Sequence, residues 1–264
     1  MSKVALVTGG SSGIGYALVE HLLAKSWNVV IADITPLGAN VKFPADRTLF
    51  VKTNVSSFDE QAELFSKAFK WHQRLDFAAL NAGIDDRDDI FSSIDTSKPP
   101  TKPDTSVIDI DLTAVYYGIK LFAHYAAQNP VPGGKIVATA SVQVIILVRR
   151  YLSPRAAAHN ITINAICPAL VVTGLEPTFR ERFPERLLTD MSIVMRAFDE
   201  LIDETLGHNG QIVETCAEGL YYRKGIEAEA PSMKEIVRLP AMAEWQASLI
   251  QRNIQRAAKI QGRL

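Results

Sequence analysis

The chain has 264 residues, 47% of them hydrophobic, and a formal net charge of -1 at pH 7. This length fits one large α/β domain, and the nearly balanced charge gives no reason to expect a nucleic acid or an anionic membrane surface as a partner. Two cysteines, Cys167 and Cys216, do not indicate a disulfide framework. No secretory signal precedes Val4 and no apolar run is long enough to span a bilayer, so we expect a cytoplasmic protein. We predict no metal site.

The amino-terminal residues predict a strand, a glycine-rich turn and a helix in direct succession. Val4 to Val7 is a short apolar run, Thr8 to Gly15 contains the turn, and a helical pattern follows. Gly9 permits the tight turn, Gly13 lets backbone approach a pyrophosphate, and Gly15 lets the helix pack against the strand. The helix N-terminus offers N–H groups to phosphates. If the glycines are considered without the other motifs, the alternative to a phosphate-binding turn is an ordinary tight turn. The candidate cofactor-binding residues here are Gly9, Ser12, Gly13, Ile14 and Gly15.

A carboxylate follows the second predicted strand. Val29 to Ala32 is apolar and ends in Asp33, at the right separation to accept a hydrogen bond from a ribose 2′-hydroxyl. Position 12 is Ser rather than Arg or Lys, so nothing obvious awaits a 2′-phosphate. The sequence therefore favours NAD over NADP.

The third and fourth strands are predicted at Leu49 to Val51 and at Phe77 to Leu80. Between them, Ser57 to Glu60 is a capping box for a helix that runs to about His72. The fourth strand runs into Asn81-Ala82-Gly83. The small Ala82 and Gly83 let a cofactor lie across the strand end, and the amide of Asn81 can tie neighbouring strands together.

Later elements continue the alternation of strands and helices. Val107 to Tyr125 has a long helical pattern, Lys135 to Ala140 is the fifth strand, and Ile161 begins the sixth. Gln211 to Glu214 is the last predicted strand. Residues 225–264 form a charged tail that is helix-prone from Met242 to Lys259, so we predict one dinucleotide-binding domain over residues 1–224 and a separate tail.

The turn from Thr8 to Gly15, taken with Asn81-Ala82-Gly83, resembles the short-chain dehydrogenase/reductase family. Within it, the chain looks most like the prostaglandin-dehydrogenase-like fungal members, and the resemblance continues to about Glu214. It implies an α/β, Rossmann-like, doubly wound parallel sheet in three layers. Because parallel crossovers are right-handed and the glycine turn lies at the switch point, the expected strand order is 3-2-1-4-5-6-7. The expected activity is hydride transfer between NAD(P) and a secondary alcohol or ketone, in a homo-oligomer.

The resemblance also implies roles for individual residues. Asn54 and Val55 stand where the family usually has Asp-Val beside the adenine. Asp111 stands where the family has an Asn that holds a water in the proton relay, and its charge would disfavour a nearby phenolate. Lys120, on the same helix, is a cofactor-binding candidate, with a surface lysine as the alternative. Three further positions match the family: Ser141 would hydrogen-bond the substrate oxygen, backbone near Val171 would meet the nicotinamide amide, and Thr173 would meet a phosphate.

The family's proton donor is a Tyr-x-x-x-Lys motif near the start of the helix after Ser141, where the ammonium favours the phenolate. We identify no such motif, and we take Tyr-x-x-x-Arg, from Tyr151 to Arg155, as the only comparable spacing. Because the sixth strand follows so soon, Tyr151 falls low on the helix and the segment carrying the motif is absent. A helix from about Val144 to Ala158 would span about 22 Å, just long enough to return along a strand of about 20 Å.

Three interpretations of the function follow. The chain is an oxidoreductase of the short-chain dehydrogenase type, or a nucleotide-binding pseudoenzyme that lacks the catalytic Tyr and Lys. The third is a mis-spliced form of an active dehydrogenase, because the loss is confined to one segment.

Overall fold

The computed structural model describes residues 2–85, 87, 96–140 and 152–224, together with residues 231–236, 239, 248, 251, 252 and 255. Contacts between Cα atoms divide the chain into two compact units, Met1–Arg223 and Lys224–Leu264. In the second unit, a short helix spans Pro231–Ile236, and residues 248, 251, 252 and 255 are also helical. The remainder of the helix predicted over 242–259 lies outside the described residues.

The first unit is built on one eight-stranded sheet in the order β3-β2-β1-β4-β5-β6-β7-β8. Strands β1 to β7 are parallel, and β8 pairs antiparallel with β7. The predicted order 3-2-1-4-5-6-7 is therefore confirmed. The strands are β1 Val4–Thr8, β2 Asn28–Asp33, β3 Thr48–Lys52, β4 Phe77–Leu80, β5 Gly134–Thr139, β6 Ile161–Pro168, β7 Ile212–Cys216 and β8 Gly219–Tyr222.

Strand β8 was not predicted, because it lacks the continuous apolar run that marks a strand buried on both faces. It is an edge strand whose Tyr221 and Tyr222 are exposed. It follows β7 through a hairpin in which Cys216 pairs with Gly219. Gly219 has φ +140°, a backbone conformation that favours glycine.

Helices cover both faces of the sheet. In the first unit they are α1 Gly13–Ala24, α2 Phe58–His72, α3 Ser106–Ile108, α4 Ala114–Ala126, α5 Ser153–Ala156, α6 Phe179–Arg182 and α7 Met191–Ile202; the short helix of the second unit, Pro231–Ile236, is α8. A π-helical turn, Asp109–Thr113, joins α3 to α4. One apolar cluster lies between the sheet and helices α2 and α4, and a second lies between the sheet and helices α1 and α7. The three-layer arrangement is that of a doubly wound fold.

Helix α2 begins with the predicted capping box, with one change in partner. The hydroxyl of Ser57 accepts a hydrogen bond of 3.3 Å from the N–H of Glu60. The Glu60 carboxylate accepts a bond of 2.8 Å from the N–H of Asn54, not from Ser57. Leu64 and Phe65 are fully buried on the apolar face. The box therefore ties the loop after β3 to the start of α2.

In its described part, the connection from β5 to β6 is helical from Ser153 to His159, in agreement with the predicted helix of 144–158. Helix α5 begins at Ser153, with Pro154 in its first turn, and a 3-10 turn spans Ala157–His159. Proline is tolerated in the first turn of a helix because the N–H that it lacks would have no partner inside the helix there. Residues 141–151, including Ser141 and Tyr151, lie outside the described residues. Strands β5 and β6 nevertheless pair in parallel, from Gly134 with Ile161 to Thr139 with Ile166.

Candidate functional site

The glycine turn after β1 is packed closely against the end of β4. Gly9 has φ +66° and Gly13 has φ +54°, which L side chains rarely adopt. A Cβ on Gly9 would lie 2.9 Å from the Cα of Ala82. A Cβ on Gly15 would meet the carbonyl oxygen of Gly9. The two glycines therefore allow α1, the turn and the exit of β4 to meet without side chains between them.

Helix α1 opens at this turn with free donors. Its first hydrogen bond runs from the N–H of Tyr16 to the carbonyl oxygen of Ser12 over 3.0 Å. The N–H groups of Gly13, Ile14 and Gly15 consequently have no partner inside the helix. The Ser12 side chain is exposed and makes no capping bond. This end of α1 offers N–H groups and a positive dipole to an anion.

Asp33, at the end of β2, holds two backbone segments. One carboxylate oxygen accepts a hydrogen bond of 3.0 Å from the N–H of Ser11, and the other accepts one of 3.0 Å from the N–H of Thr35. Each oxygen retains a second lone pair. Asp33 is therefore fixed beside the glycine turn and can still accept from a hydroxyl.

Asn81 links three strands at their carboxyl ends. Its amide nitrogen donates to the Thr8 carbonyl oxygen over 3.1 Å, and its amide oxygen accepts from the Thr139 hydroxyl over 2.9 Å. The Thr8 hydroxyl accepts from the N–H groups of Asn81 and Ala82, over 2.9 and 3.1 Å. The strand-tying role proposed for the Asn81 amide is thus present in the geometry, with Thr139 as a partner that the sequence analysis missed.

Asp111 lies against the Asn-Ala-Gly segment, in the π-helical turn. Its Oδ1 accepts a hydrogen bond of 3.1 Å from the N–H of Ile84 and would be 3.4 Å from a Cβ on Gly83. Partial burial raises the pKa of the Asp111 carboxyl; the Ile84 N–H opposes this shift, and the charge of Asp85 adds to it. The site therefore contains a carboxyl that resists ionisation more than an exposed aspartate does.

The loop after β3 is held by a buried glutamine. Asn54 is exposed, and its side-chain oxygen accepts from the N–H of Ser56 over 3.1 Å and from its hydroxyl over 2.8 Å. Val55 is buried, and its carbonyl oxygen accepts from Gln61 over 2.6 Å. Gln61 also donates to the carbonyl oxygen of Ala114 over 3.0 Å. It thereby joins this loop to the first residue of α4.

Gln61 was missed by sequence reasoning, but a signal exists. It is 1% exposed and shares a helical stripe with Leu64, Phe65 and Ala68. A polar residue on the apolar face of a helix requires hydrogen-bond partners when it is buried. Its position in that stripe could have identified it as a residue that positions the loop.

The segment after β6 reaches the glycine turn. A Cβ on Gly13 would lie 3.3 Å from the Cβ of Thr173. Val171 is buried, and its N–H donates to the carbonyl oxygen of Ala169 over 2.9 Å. Thr173, predicted to meet a phosphate, is thus beside the free N–H groups of α1.

The search of the sequence for a Tyr-x-x-x-Lys motif needs one correction. Tyr116 and Lys120 also have the Tyr-x-x-x-Lys spacing, so Tyr151 to Arg155 is not the only comparable spacing in the chain, as the sequence analysis had it. Both lie on α4, ahead of β5, and both are exposed, Tyr116 by 52%. Lys120 has no described contact with the other candidate cofactor residues and, being nine residues beyond Asp111, lies about 13 Å along the helix from it.

In the described ranges no helix is both long and apolar enough to cross a membrane. Within the same ranges, no group of three or more His, Cys, Asp or Glu side chains could hold a metal ion.

Comparison with known sequences identifies relatives of this chain. The model of the short chain dehydrogenase family matches residues 3–148. Short-chain dehydrogenase/reductase prx6 of Penicillium rubens is 28% identical over 253 residues, covering 83% of this chain and 85% of that protein. Human 15-hydroxyprostaglandin dehydrogenase [NAD(+)] is 27% identical over 199 residues, covering 66% of this chain and 70% of the human protein.

Solved structures share the fold. A 3-ketoacyl-(acyl-carrier-protein) reductase from Brucella melitensis complexed with NADH superposes with a TM-score of 0.68 at 18% identity, covering 80% of this chain and 96% of that one. ElxO with NADP bound gives a TM-score of 0.67 at 20% identity, covering 81% and 97%. The family match spans more than half of the chain and includes the glycine turn and the Asn81 network, so this protein belongs to the short-chain dehydrogenase family.

Proposed function

We propose that this chain binds NAD at the carboxyl edge of its sheet. The observation that carries the proposal is the joining of four separate segments at one place. The glycine turn, Asp33, Asn81 and Thr173 meet around the open end of α1. Parallel α/β sheets bind dinucleotides at this edge, with the pyrophosphate at the helix N-terminus.

NAD is proposed over NADP because of the charge beside the turn. Asp33 presents a carboxylate where the ribose hydroxyls of the adenosine would lie, and Ser12 presents no cation there. A 2′-phosphate at this point would meet the Asp33 charge without compensation. Asn54 and the backbone of Val55 would contact the adenine, and backbone near Val171 the nicotinamide amide.

The proposed reaction class is hydride transfer between NAD and a secondary alcohol or ketone, the chemistry that a bound nicotinamide supplies. In the oxidation direction, the substrate hydroxyl must also lose a proton to the protein or to water. Ser141 would hydrogen-bond that oxygen, and Tyr151 would be the phenol to take the proton. Arg155 follows Tyr151 at the lysine position, but a guanidinium differs in shape from an ammonium and holds its proton more strongly. We therefore propose intact NAD binding with little or no turnover.

A second candidate function, a nucleotide-binding protein without catalysis, rests on the proposed loss of the Tyr-x-x-x-Lys segment between β5 and β6. The alignment with prx6 runs over 253 positions but takes up 83% of the 264 residues here, about 219, so the relative has aligned positions that this chain lacks. A mis-spliced form of an active enzyme would equally lack the Tyr-x-x-x-Lys segment. Sequencing the transcript and gene across residues 141–148 separates the two, since an in-frame Tyr-x-x-x-Lys segment would establish mis-splicing.

Calorimetric titration of NAD and NADP, followed by assays of alcohols and ketones at the NADH absorbance, tests the proposal. We expect NAD to bind more tightly than NADP, and turnover to be near background because general acid–base help is worth about 10²–10⁴ in rate. Tyr151→Phe and Ser141→Ala are the test variants, and Tyr116→Phe is the matched control for an exposed phenol. Brisk turnover abolished by Tyr151→Phe would overturn our placement of Tyr151, and failure to bind NAD would overturn the proposal itself.

The assembly and compartment are proposed from the family alone. We propose a cytoplasmic homo-oligomer that acts on a small-molecule substrate. Light scattering at micromolar concentration checks the assembly, and a monomeric mass would count against it.

A further inference from the structure

A second cleft lies at the opposite edge of the sheet from the candidate cofactor site. It has a volume of about 600 Å³ and is lined where strands β1, β4, β5 and β6 begin, and by the chain that follows α7. Lys3 precedes β1 and Gly9 follows it, so the two edges are about 17 Å apart at about 3.3 Å per residue. The cleft is within the 300–1,000 Å³ range of small-molecule sites.

Two of the cations that line the cleft are paired with carboxylates, and a third is not paired with any side chain that the structure describes. Arg74 donates two hydrogen bonds, of 2.8 and 2.7 Å, to the carboxylate of Asp76. Lys3 lies 2.5 Å from a carboxylate oxygen of Glu204. Lys135 also lines the cleft, and among the described residues its ammonium has neither a hydrogen bond nor an ion pair. Lys135 is therefore a cation of the cleft whose charge no contact with a described residue compensates.

Lys135 is held partly out of water. It is half-buried, and burial lowers its pKa; Glu204 and Asp203 oppose this shift, while Lys3 adds to it. Both nearby carboxylates are already engaged, Glu204 by Lys3 and Asp203 by the N–H and hydroxyl of Thr205, over 2.7 Å each. An anion bound in the cleft would pair with the charge of the Lys135 ammonium, which these carboxylates leave unpaired.

A hydroxyl without a partner lies beside this cation. Thr162 on β6 pairs in register with Lys135 on β5, so the two side chains lie on the same face, on strands about 4.8 Å apart. The Thr162 hydroxyl is buried and has no hydrogen-bond partner in the part of the chain that the structure describes. Buried polar atoms are normally paired, so an orphan hydroxyl in a cleft wall calls for a ligand atom or a water.

The walls are rigid and partly apolar. Asn129 binds both the N–H and the carbonyl oxygen of Leu75, over 2.8 Å each, and the carbonyl oxygen of Gly133 over 2.9 Å. Trp27 and Ile202 add an aromatic and an aliphatic surface to the lining. A preformed wall of this kind lowers the cost of ordering a ligand.

We propose that this cleft is a binding site for a small organic anion, whose carboxylate or phosphate is held by Lys135 and Thr162 and whose apolar body lies against Trp27 and Ile202. The site is separate from the cofactor edge, and its test requires no dinucleotide.

The probes are phenyl phosphate and phenylacetate, with inorganic phosphate alone and neutral benzyl alcohol as ligand controls, each titrated calorimetrically into the full chain. We expect at least one aromatic anion to bind at millimolar concentration or below, and benzyl alcohol not to bind. Lys135→Met should weaken that binding by about tenfold or more, the scale for losing a charged hydrogen bond. Thr162→Val should weaken it less.

Lys135→Arg, which keeps the cation, should retain binding, and Lys67→Met, which removes a lysine of α2 outside the cleft, should leave it unchanged. Circular dichroism melts confirm that each variant is folded. Absence of binding by both aromatic anions, or binding that is equal in the parent and in Lys135→Met, would overturn the proposal.

Discussion

The main-chain N–H of Ser11 donates a hydrogen bond of 3.0 Å to the carboxylate of Asp33, so the acid that ends β2 also holds the glycine turn that follows β1. The same carboxylate accepts from the N–H of Thr35. Asp33 consequently has a structural task in the absence of any cofactor, besides its proposed one toward a ribose.

Asp33→Ala separates these two roles. We expect NAD affinity to fall by about 1–3 kcal/mol, the scale for losing hydrogen bonds to a charged group. NADP affinity should fall less or rise, because the repulsion of its 2′-phosphate is removed together with the carboxylate. Calorimetry with both dinucleotides measures this, with the exposed Asp46→Ala as control. Equal losses for NAD and NADP would show that Asp33 acts only through the turn.

The close approach at Gly15 predicts a large difference between two glycines. An added Cβ at Gly15 would meet the Gly9 carbonyl oxygen and lie 2.7 Å from the Asn81 amide nitrogen, whereas one at Gly174 would meet nothing within 4 Å. Gly15→Ala should lower the free energy of unfolding by about 1–3 kcal/mol through overpacking. Gly174→Ala should leave it unchanged or raise it by up to about 1 kcal/mol, by restricting the unfolded chain. Urea unfolding checks both, and equal effects would contradict the packing.

Asn81 and Thr139 are expected to be energetically coupled. Asn81→Ala removes an acceptor from the Thr139 hydroxyl and a donor from the Thr8 carbonyl oxygen, at a cost of about 1–3 kcal/mol in the free energy of unfolding. Thr139→Val removes the other half of the pair. In a double-mutant cycle, the two losses should sum to more than the loss in the double variant, by about 0.5 kcal/mol or more. Strict additivity would mean that the bond contributes nothing.

Asp111 should make stability depend on pH. Its folded-state pKa is raised, mainly by burial, so the folded protein binds this proton more tightly than the unfolded chain does. Ionised Asp111 therefore lowers the free energy of unfolding at pH values above its folded-state pKa. This loss of stability disappears as pH falls below the ordinary aspartate pKa. Asp111→Asn keeps an oxygen for the Ile84 N–H and should therefore stabilise the protein at pH 7, with a gain that vanishes in acid. Asp109→Asn, an exposed change in the same turn, should have no such effect.

Cys167 should be unreactive at ordinary pH. Burial raises the pKa of its thiol to about 11, with Arg223 and Glu214 acting in opposite directions. At pH 8 about one thiol in a thousand would then be thiolate, the reactive form. A Cys216→Ser variant isolates Cys167, whose reaction with a disulfide reagent should be slow at pH 8, accelerate towards pH 11 and become fast on unfolding. Reaction at pH 8 as fast as that of free cysteine would contradict its burial.

The order of the parallel strands could be predicted from the sequence because each buried strand is a continuous apolar run and each crossover has one allowed hand. Strand β8 could not be predicted in this way, since its exposed tyrosines do not form a continuous apolar run. In the site, the glycines and Asp33 are recognisable from spacing. The contacts of Gln61 and Thr139 cannot be recognised from the sequence, because their partners come from distant strands and helices that only the fold brings together.

The uninterrupted pairing of β5 with β6 has a practical consequence for work on this protein. Residues 140–160 connect the two strands, and under our proposal this connection lacks the Tyr-x-x-x-Lys segment, so folding and catalytic competence would depend on different parts of the chain. Soluble expression, a cooperative melt or retention on a dinucleotide column would each group this protein with active dehydrogenases. A biochemist who screens by such criteria would select it as an enzyme, and a measured rate is needed to decide whether it is one.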